Sequence, residues 1–248
     1  MRLAVVSDFH GNLRALEAIL EDLAEARPDV VVHGGDLALN GARPAEVIDR
    51  VRELGWEGVL GNADAALWGE IPESLPGPVR SAFERRAAAT AELVGDERIG
   101  WLKALPREWH GHGVGLVHAV PGDLWDNVPP DVPDERLFEV YAGLGEPLAV
   151  YGHVHRPHVR DLGALKVANS GSVGQPFDRD PRPSYLLVVD GAPAVRRVSY
   201  DVGAAAEEVR TSGIPDAEDL AASMLEARMR PPGMPGWMLR TLRATGRI

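Results

Sequence analysis

The sequence predicts an α/β fold in which two layers of β-sheet pack together and helices lie outside. Three observations carry that expectation. Short apolar runs alternate with amphipathic helical stretches through about residue 60, strand-like runs return after a helix-rich middle, and polar clusters recur at the ends of the strand-like runs. Alternation of the first kind gives a largely parallel sheet covered by helices on at least one face, and the later runs supply the second layer.

Residues 3–7 (Leu-Ala-Val-Val-Ser) are apolar and partly β-branched, as a buried strand requires. Asn12 then reads as a helix cap. Leu16, Ile19, Leu20 and Leu23 recur at helical spacing until Pro28, and a second buried strand follows at 30–33. A third round starts at Pro44, carries Val47, Ile48, Val51 and Leu54 on one face, breaks at Gly55 and ends in a short strand near Val59 and Leu60. Residues 65–105 read as a helical insertion, punctuated by Pro72, Pro76 and Pro78 before a Glu/Arg/Ala-rich stretch at 79–93. Further strands are expected at 114–117, 148–151, 165–168, 185–189 and 194–198. The last two form a hairpin around Asp190-Gly191, with Ala192 and Pro193 lengthening the loop.

The expected division is a main domain over 1–200 and a C-terminal extension over 201–248, packed on or beside it. Residues 201–230 read as helical. Residues 228–248 hold Arg228, Arg230, Arg240, Arg243 and Arg247 with no acid, broken by Pro231, Pro232 and Pro235. This stretch is expected to pack Trp237, Met238 and Leu239 back onto the body, the alternative being an arm for a partner or an acidic substrate.

Composition narrows the function classes. The 248 residues include no cysteine, which removes disulfides, zinc-thiolate sites, cysteine-held iron-sulfur clusters and thiol nucleophiles, so any metal sits on nitrogen and oxygen. A net charge of −11 argues against broad electrostatic binding to nucleic acid. No apolar run is long enough to span a membrane and no secretory signal is legible, so a cytoplasmic protein without membrane partners is expected.

Five polar clusters fall at or near predicted strand ends: Asp8-Phe9-His10, Gly34-Gly35-Asp36, Gly61-Asn62-Ala63-Asp64, His118, and Gly152-His153-Val154-His155. In an α/β sheet the crevice beyond the carboxyl ends of the strands collects such residues. Two aspartates, one asparagine and four histidines are donors for manganese, iron, zinc or nickel. Seven are too many for one tetrahedral ion and suit two ions sharing a bridging carboxylate. The remaining histidines, His33, His110, His112 and His158, are read as surface or core residues.

The ordered set Asp8-x-His10, Gly35-Asp36, Gly61-Asn62-x-Asp64, His118 and Gly152-His153-x-His155 resembles the calcineurin-like metallophosphoesterases over roughly residues 1–176. The run from Ser7 to Asn12 and the late Asn169-Ser170-Gly171-Ser172 are similar to the small prokaryotic phosphodiesterase branch. The resemblance implies a four-layer αββα fold. It implies that Asp8, His10, Asp36 and His155 hold one divalent ion, manganese first, and that Asp36, Asn62, His118 and His153 hold the other. A water between the ions would be deprotonated near neutral pH and attack phosphorus in line. Asn12 and Arg43 are the candidate contacts to a small phosphoester substrate.

One departure from the family pattern is Ala63, where many members carry a histidine that protonates the leaving oxygen; the small phosphodiesterase branch often lacks it too. A positioned general acid contributes about 10²–10⁴ in rate, so phosphodiesters or activated phosphomonoesters are the expected substrates. Asn62 and Asp64 are the catalytic candidates of this loop. Asp64, His158 or a metal-bound water could replace the acid, or Asp64 could orient the Asn62 loop. The alternatives are a dinucleoside polyphosphate hydrolase, a protein phosphatase, or a metal-binding scaffold without catalysis. Residues between Ala65 and Arg107 and after Gly122 would shape the pocket walls that decide among them.

Overall fold

The computed structural model describes residues 1–230 of the chain. Strand β1 (Arg2–Val6), helix α1 (Leu13–Ala26), β2 (Val30–His33), α2 (Pro44–Glu53) and β3 (Glu57–Gly58) form the two expected β-α-β units. The middle holds the single turn α3 (Asn62–Ala65) and helices α4 (Gly77–Val94) and α5 (Asp96–Lys103). Then come β4 (Glu108–Gly111), β5 (Val114–Val117), α6 (Asp134–Tyr141), β6 (Leu148–Tyr151), β7 (His158–Asp161), β8 (Lys166–Asn169), β9 (Ser184–Val189) and β10 (Ala192–Arg197). Helices α7 (Val202–Thr211) and α8 (Ala217–Glu226) follow.

Among the described residues the strands make two five-stranded sheets, ordered β10-β9-β1-β2-β3 and β4-β5-β6-β8-β7. Both are mixed: β1, β2 and β3 run parallel, as do β5, β6 and β8, while β9, β10, β4 and β7 pair antiparallel. The alternation of β1 sorts its side chains between two cores. Leu3 and Val5 enter the space between the sheets with Val32, Leu116, Val150 and Leu186. Ala4 and Val6 face the helices with Leu16, Ile19, Ile48 and Val51. On the far side α6 lays Leu137 and Tyr141 against Ala149, Tyr151 and Val167. The layers therefore run helix, sheet, sheet, helix, as expected.

Several local expectations need correction. The third strand pairs at Glu57–Gly58, Val59 N–H still donates to His33 O at 3.0 Å, and the chain then leaves the sheet, the Leu60 N–H going to Pro106 O at 2.8 Å. Strands β4 and β7 were not foreseen; each is a four-residue edge strand too polar to show the alternation that marks a half-buried one. The hairpin loop is only Asp190-Gly191, both left-handed with φ of 49° and 78°, and Ala192 already pairs with Val189. Pro193 therefore sits in β10, where an edge position tolerates its missing donor. Residues 201–230 form two helices, separated at Gly213-Ile214-Pro215, with their own small core of Ala205, Ala206, Val209, Leu220 and Met224. Arg14 ties this pair to α1 by donating to Glu208 at 2.8 Å. Trp237, Met238, Leu239, Arg240, Arg243 and Arg247 lie outside the described residues.

His33, read from sequence as core or surface, is fully buried at the end of β2 with neither ring nitrogen hydrogen-bonded among the described residues. Burial lowers its pKa to about 4. The unfolded chain therefore binds a proton more readily than the folded one, and stability present above about pH 6.5 is lost as pH falls toward 4. His33→Leu is expected to remove much of that acid sensitivity, recovering up to about 3 kcal/mol at pH 4 relative to pH 7. Urea unfolding at the two pH values measures it; equal pH dependence in both proteins would rule His33 out as the source.

Candidate metal centre

The site is built on the loops that leave the strand ends. Asp8, His10, Asp36, His153 and His155 all have left-handed backbones, with φ of 60°, 47°, 56°, 63° and 54°. A non-glycine residue there costs roughly 1–2 kcal/mol, and such strain persists only where the surroundings hold it. Cross-loop backbone bonds do so here: the N–H groups of Asp8 and His10 donate to Gly35 O (3.0 Å) and Asp36 O (2.9 Å), and Gly174 N–H donates to Asp8 O (2.8 Å). Ser172 Oγ donates to Asp8 O at 2.7 Å and Asn169 Nδ2 to Gly152 O at 2.5 Å, so the late Asn-x-x-Ser segment braces both ligand loops.

Asp8, His10, Asp36 and His155 are buried, and one donor atom from each lies within 4.8 Å of every other. His10 Nδ1 faces Leu39 O at 2.8 Å and His155 Nδ1 faces Gln175 O at 2.5 Å. A carbonyl only accepts, so both Nδ1 atoms carry the proton and both Nε2 atoms present lone pairs. Those lone pairs meet at 3.1 Å, with Asp8 Oδ1 3.1 Å from His155 Nε2 and Asp36 Oδ2 3.6 Å from His10 Nε2. Four donor atoms, two of them imidazole lone pairs facing each other, suit a cation, and the nitrogen and oxygen set suits a borderline divalent ion.

A second group adjoins the first. His118 Nδ1 faces Gly34 O at 2.7 Å, which turns its Nε2 toward Asn62 Oδ1 (2.8 Å) and Asp36 Oδ1 (3.4 Å). His153 Nδ1 reaches the same Asn62 oxygen at 2.9 Å. Asp36 thus offers one oxygen to each group. All seven residues expected as ligands are brought together.

The electrostatics match. Burial, then the neighbouring Asp8, pushes the Asp36 carboxyl well above the usual range. Burial also works to raise Asp8, but His155, His118 and His10 outweigh it and hold that carboxyl low. Burial, then His155, lowers His10 to about 3, and burial, then His118, lowers His153 to about 3, so both rings are neutral at pH 7.

Other expectations fare differently. Asn12 is occupied as the α1 cap: its Oδ1 accepts from Ala15 N at 3.1 Å and its Nδ2 donates to Gly174 O and Tyr200 Oη. Arg43 is half exposed between Glu46 and Glu208. Neither lines the pocket over the metal-binding group, so the structure does not bring the two expected substrate contacts to it. Asp64 does not reach the pocket either. It is fully buried, burial and then Asp36 raise its pKa to about 7, and its Oδ1 accepts from the N–H groups of Leu37 (2.9 Å) and Ala38 (3.2 Å). His158 lies on β7 beside Tyr151 and Arg156, away from the pocket.

Sequence reading placed the pocket walls between Ala65 and Arg107 and after Gly122 without singling out their residues. The pocket, about 350 Å³, is closed by Phe83 and Arg86 of α4, by Asn40 and Gln175, and by Leu220 and Ser223 of α8. Arg86 sits in a stretch whose other arginines, Arg80 and Arg85, are exposed, and nothing in the sequence sets it apart from them.

The fold and this site together define a four-layer α/β architecture with a buried Asp/His group that could hold a metal ion, and comparison with known proteins gives the family. The family model of the calcineurin-like phosphoesterase superfamily domain matches residues 1–191, and the chain belongs to that superfamily. It is a hydrolase acting on phosphoric esters. An uncharacterised protein of Methanocaldococcus jannaschii is 29% identical over 86% of this chain and 94% of its own. Phosphodiesterase YfcE of Escherichia coli is 27% identical over 75% of this chain and 87% of its own. The crystal structure of a metallophosphoesterase from Sphaerobacter thermophilus superposes with a TM-score of 0.76 at 27% identity, covering 92% of this chain and 99% of that one. No helix among the described residues is long and apolar enough to cross a membrane.

Proposed function

We propose that the protein is a dinuclear metal-dependent phosphoesterase of the cytoplasm that hydrolyses small phosphodiesters or activated phosphomonoesters. The observation that carries this reading is the meeting of the His10 and His155 lone pairs at 3.1 Å beside Asp8 and Asp36. Asp8, His10, Asp36 and His155 would hold one ion, and Asp36, Asn62, His118 and His153 the other, manganese being the first choice and iron, zinc or nickel the alternatives. When bound, two such ions lower the pKa of water and neutralise charge on phosphoryl oxygens.

The chain's own contribution is orientation. Leu39 O, Gln175 O and Gly34 O fix the tautomers of His10, His155 and His118. Asp64 is a positioning residue that holds the backbone after Asp36. Ala63 lines the pocket and has no proton to give, so the reading favours good leaving groups. Similarity to an enzyme named as a phosphodiesterase supports the diester as substrate.

The test is hydrolysis of bis(p-nitrophenyl) phosphate beside p-nitrophenyl phosphate, with chelated protein and with manganese restored. Turnover that returns with manganese and favours the diester is expected. Activity that survives chelation, or no turnover with any divalent ion although two are bound, would overturn the enzymatic mechanism, the second result leaving a metal-binding scaffold.

A further inference from the structure

The pocket that holds His10, Asp36 and His155 also carries two side-chain donors without an acceptor among the described residues, Arg86 Nη2 and Gln175 Nε2. Arg86 is only 6% exposed. Its Nη1 donates to Asn40 Oδ1 at 2.9 Å and its Nε to Ala82 O at 3.3 Å, with Asp216 Oδ2 3.5 Å from Nε and the Phe83 ring 5.3 Å from Cζ. Nη2 has no hydrogen-bond partner among the described residues. Asn40 Nδ2 passes the chain on to Gln175 Oε1 at 3.5 Å, and Gln175 Nε2 is left buried with no acceptor. An unpaired buried donor is unfavourable, and of the two only the Gln175 amide is buried; lining the pocket, it is placed for a ligand there to complete.

The position of these donors is set by the metal centre itself. Gln175 O accepts from His155 Nδ1, and Asn40 follows Leu39, whose carbonyl accepts from His10 Nδ1. The two loops that orient His10 and His155 therefore also present the donors, and Arg86, Asn40 and Gln175 line one pocket with His10, Asp36 and His155. A planar guanidinium with a free edge and an amide N–H pair beside it complement an oxyanion. Asp216, which also lines the pocket, lies beside Nε and holds that side of the guanidinium.

We propose that Arg86, Asn40 and Gln175 form an oxyanion-binding wall that holds a non-bridging oxygen of the substrate's phosphoryl group. The inference rests on the phosphoesterase reading and deepens it, assigning substrate contact to residues that bind no metal and filling the role that Asn12 and Arg43 do not reach.

Two variants test it in the full-length, manganese-loaded protein: Arg86→Gln, and Gln175→Met, which removes the orphan donors with little change in size. Binding of inorganic phosphate is measured by titration calorimetry, KM and kcat with bis(p-nitrophenyl) phosphate, and manganese content in parallel. Phosphate affinity is expected to fall about tenfold or more in Arg86→Gln and several-fold in Gln175→Met, with KM rising in step and manganese unchanged. Arg86→Lys is expected to recover part of the loss, which a merely structural arginine would not show. Wild-type phosphate affinity and KM in both folded variants would overturn the wall while leaving the phosphoesterase reading intact. Loss of phosphate binding in the variants of a protein that hydrolyses no ester would do the reverse, keeping the oxyanion wall and removing the enzymatic reading.

Discussion

Asp36→Asn is expected to reduce manganese-supported hydrolysis by about 10³-fold or more, on the order of 4 kcal/mol of transition-state stabilisation, and to weaken retention of both ions together. The reason is the division of its carboxylate: Oδ1 lies toward His118 and accepts from the Ala63 N–H, Oδ2 lies toward His10. An amide keeps the shape but replaces one oxygen with a donor and removes the charge. The metal-free variant should be at least as stable as the parent. The raised pKa of Asp36 means that its folded form holds a proton the unfolded chain releases above about pH 4, so in the metal-free parent this group's contribution is lost as pH rises. Asparagine has no such loss. Metal content by elemental analysis, with melting temperature after chelation, separates the two effects; full activity with only one ion lost would refute the shared carboxylate.

A single methyl group at Gly61 is expected to do comparable damage by a different route. A Cβ there would lie 2.1 Å from Asp36 Oδ1 and 2.2 Å from Asp36 N, and the preceding Gly35 also packs closely against the Gly61 backbone. The carboxylate and its backbone must move, and overpacking of this kind costs about 1–3 kcal/mol. Gly61→Ala should therefore melt roughly 2–12 °C lower and lose most manganese-dependent turnover. Gly143→Ala, where a Cβ meets nothing within 4 Å, serves as control and should stay within about 0.5 kcal/mol of the parent. Unchanged melting and activity in Gly61→Ala would show that the Gly35–Gly61 contact does not hold Asp36 in place.

The layered fold and the convergence of the seven polar residues were legible because both are written in short-range pattern: buried β-branched runs mark the strands, and polar residues beside glycine mark the loops beyond their ends. Asp8 and Asp36 illustrate the limit, since each alone reads equally well as a turn former; their number and order decided the matter. Asn12 shows the opposite outcome, because a polar residue before a helix serves as cap or as ligand, and here it caps. Arg86 was invisible for a physical reason. Its burial depends on Asn40 and Asp216, which lie 46 residues before it and 130 after it in the chain, and no local period records such a meeting. The polar edge strands β4 and β7 escaped because pairing with a neighbour, rather than an apolar face, makes them strands.

The central place of β1 has a consequence for how the protein is made. This apolar strand needs β2 on one side and β9, residues 184–189, on the other. At the pace of synthesis, roughly 5–20 residues per second, the first strand leaves the ribosome on the order of ten seconds before its second partner exists. During that interval the nascent chain carries an open, hydrophobic β-edge, the kind of surface on which chains pair with one another. The early strand that anchors Asp8 is thus also the segment whose protection waits longest, so slow translation through the middle of the chain should increase its dependence on chaperones.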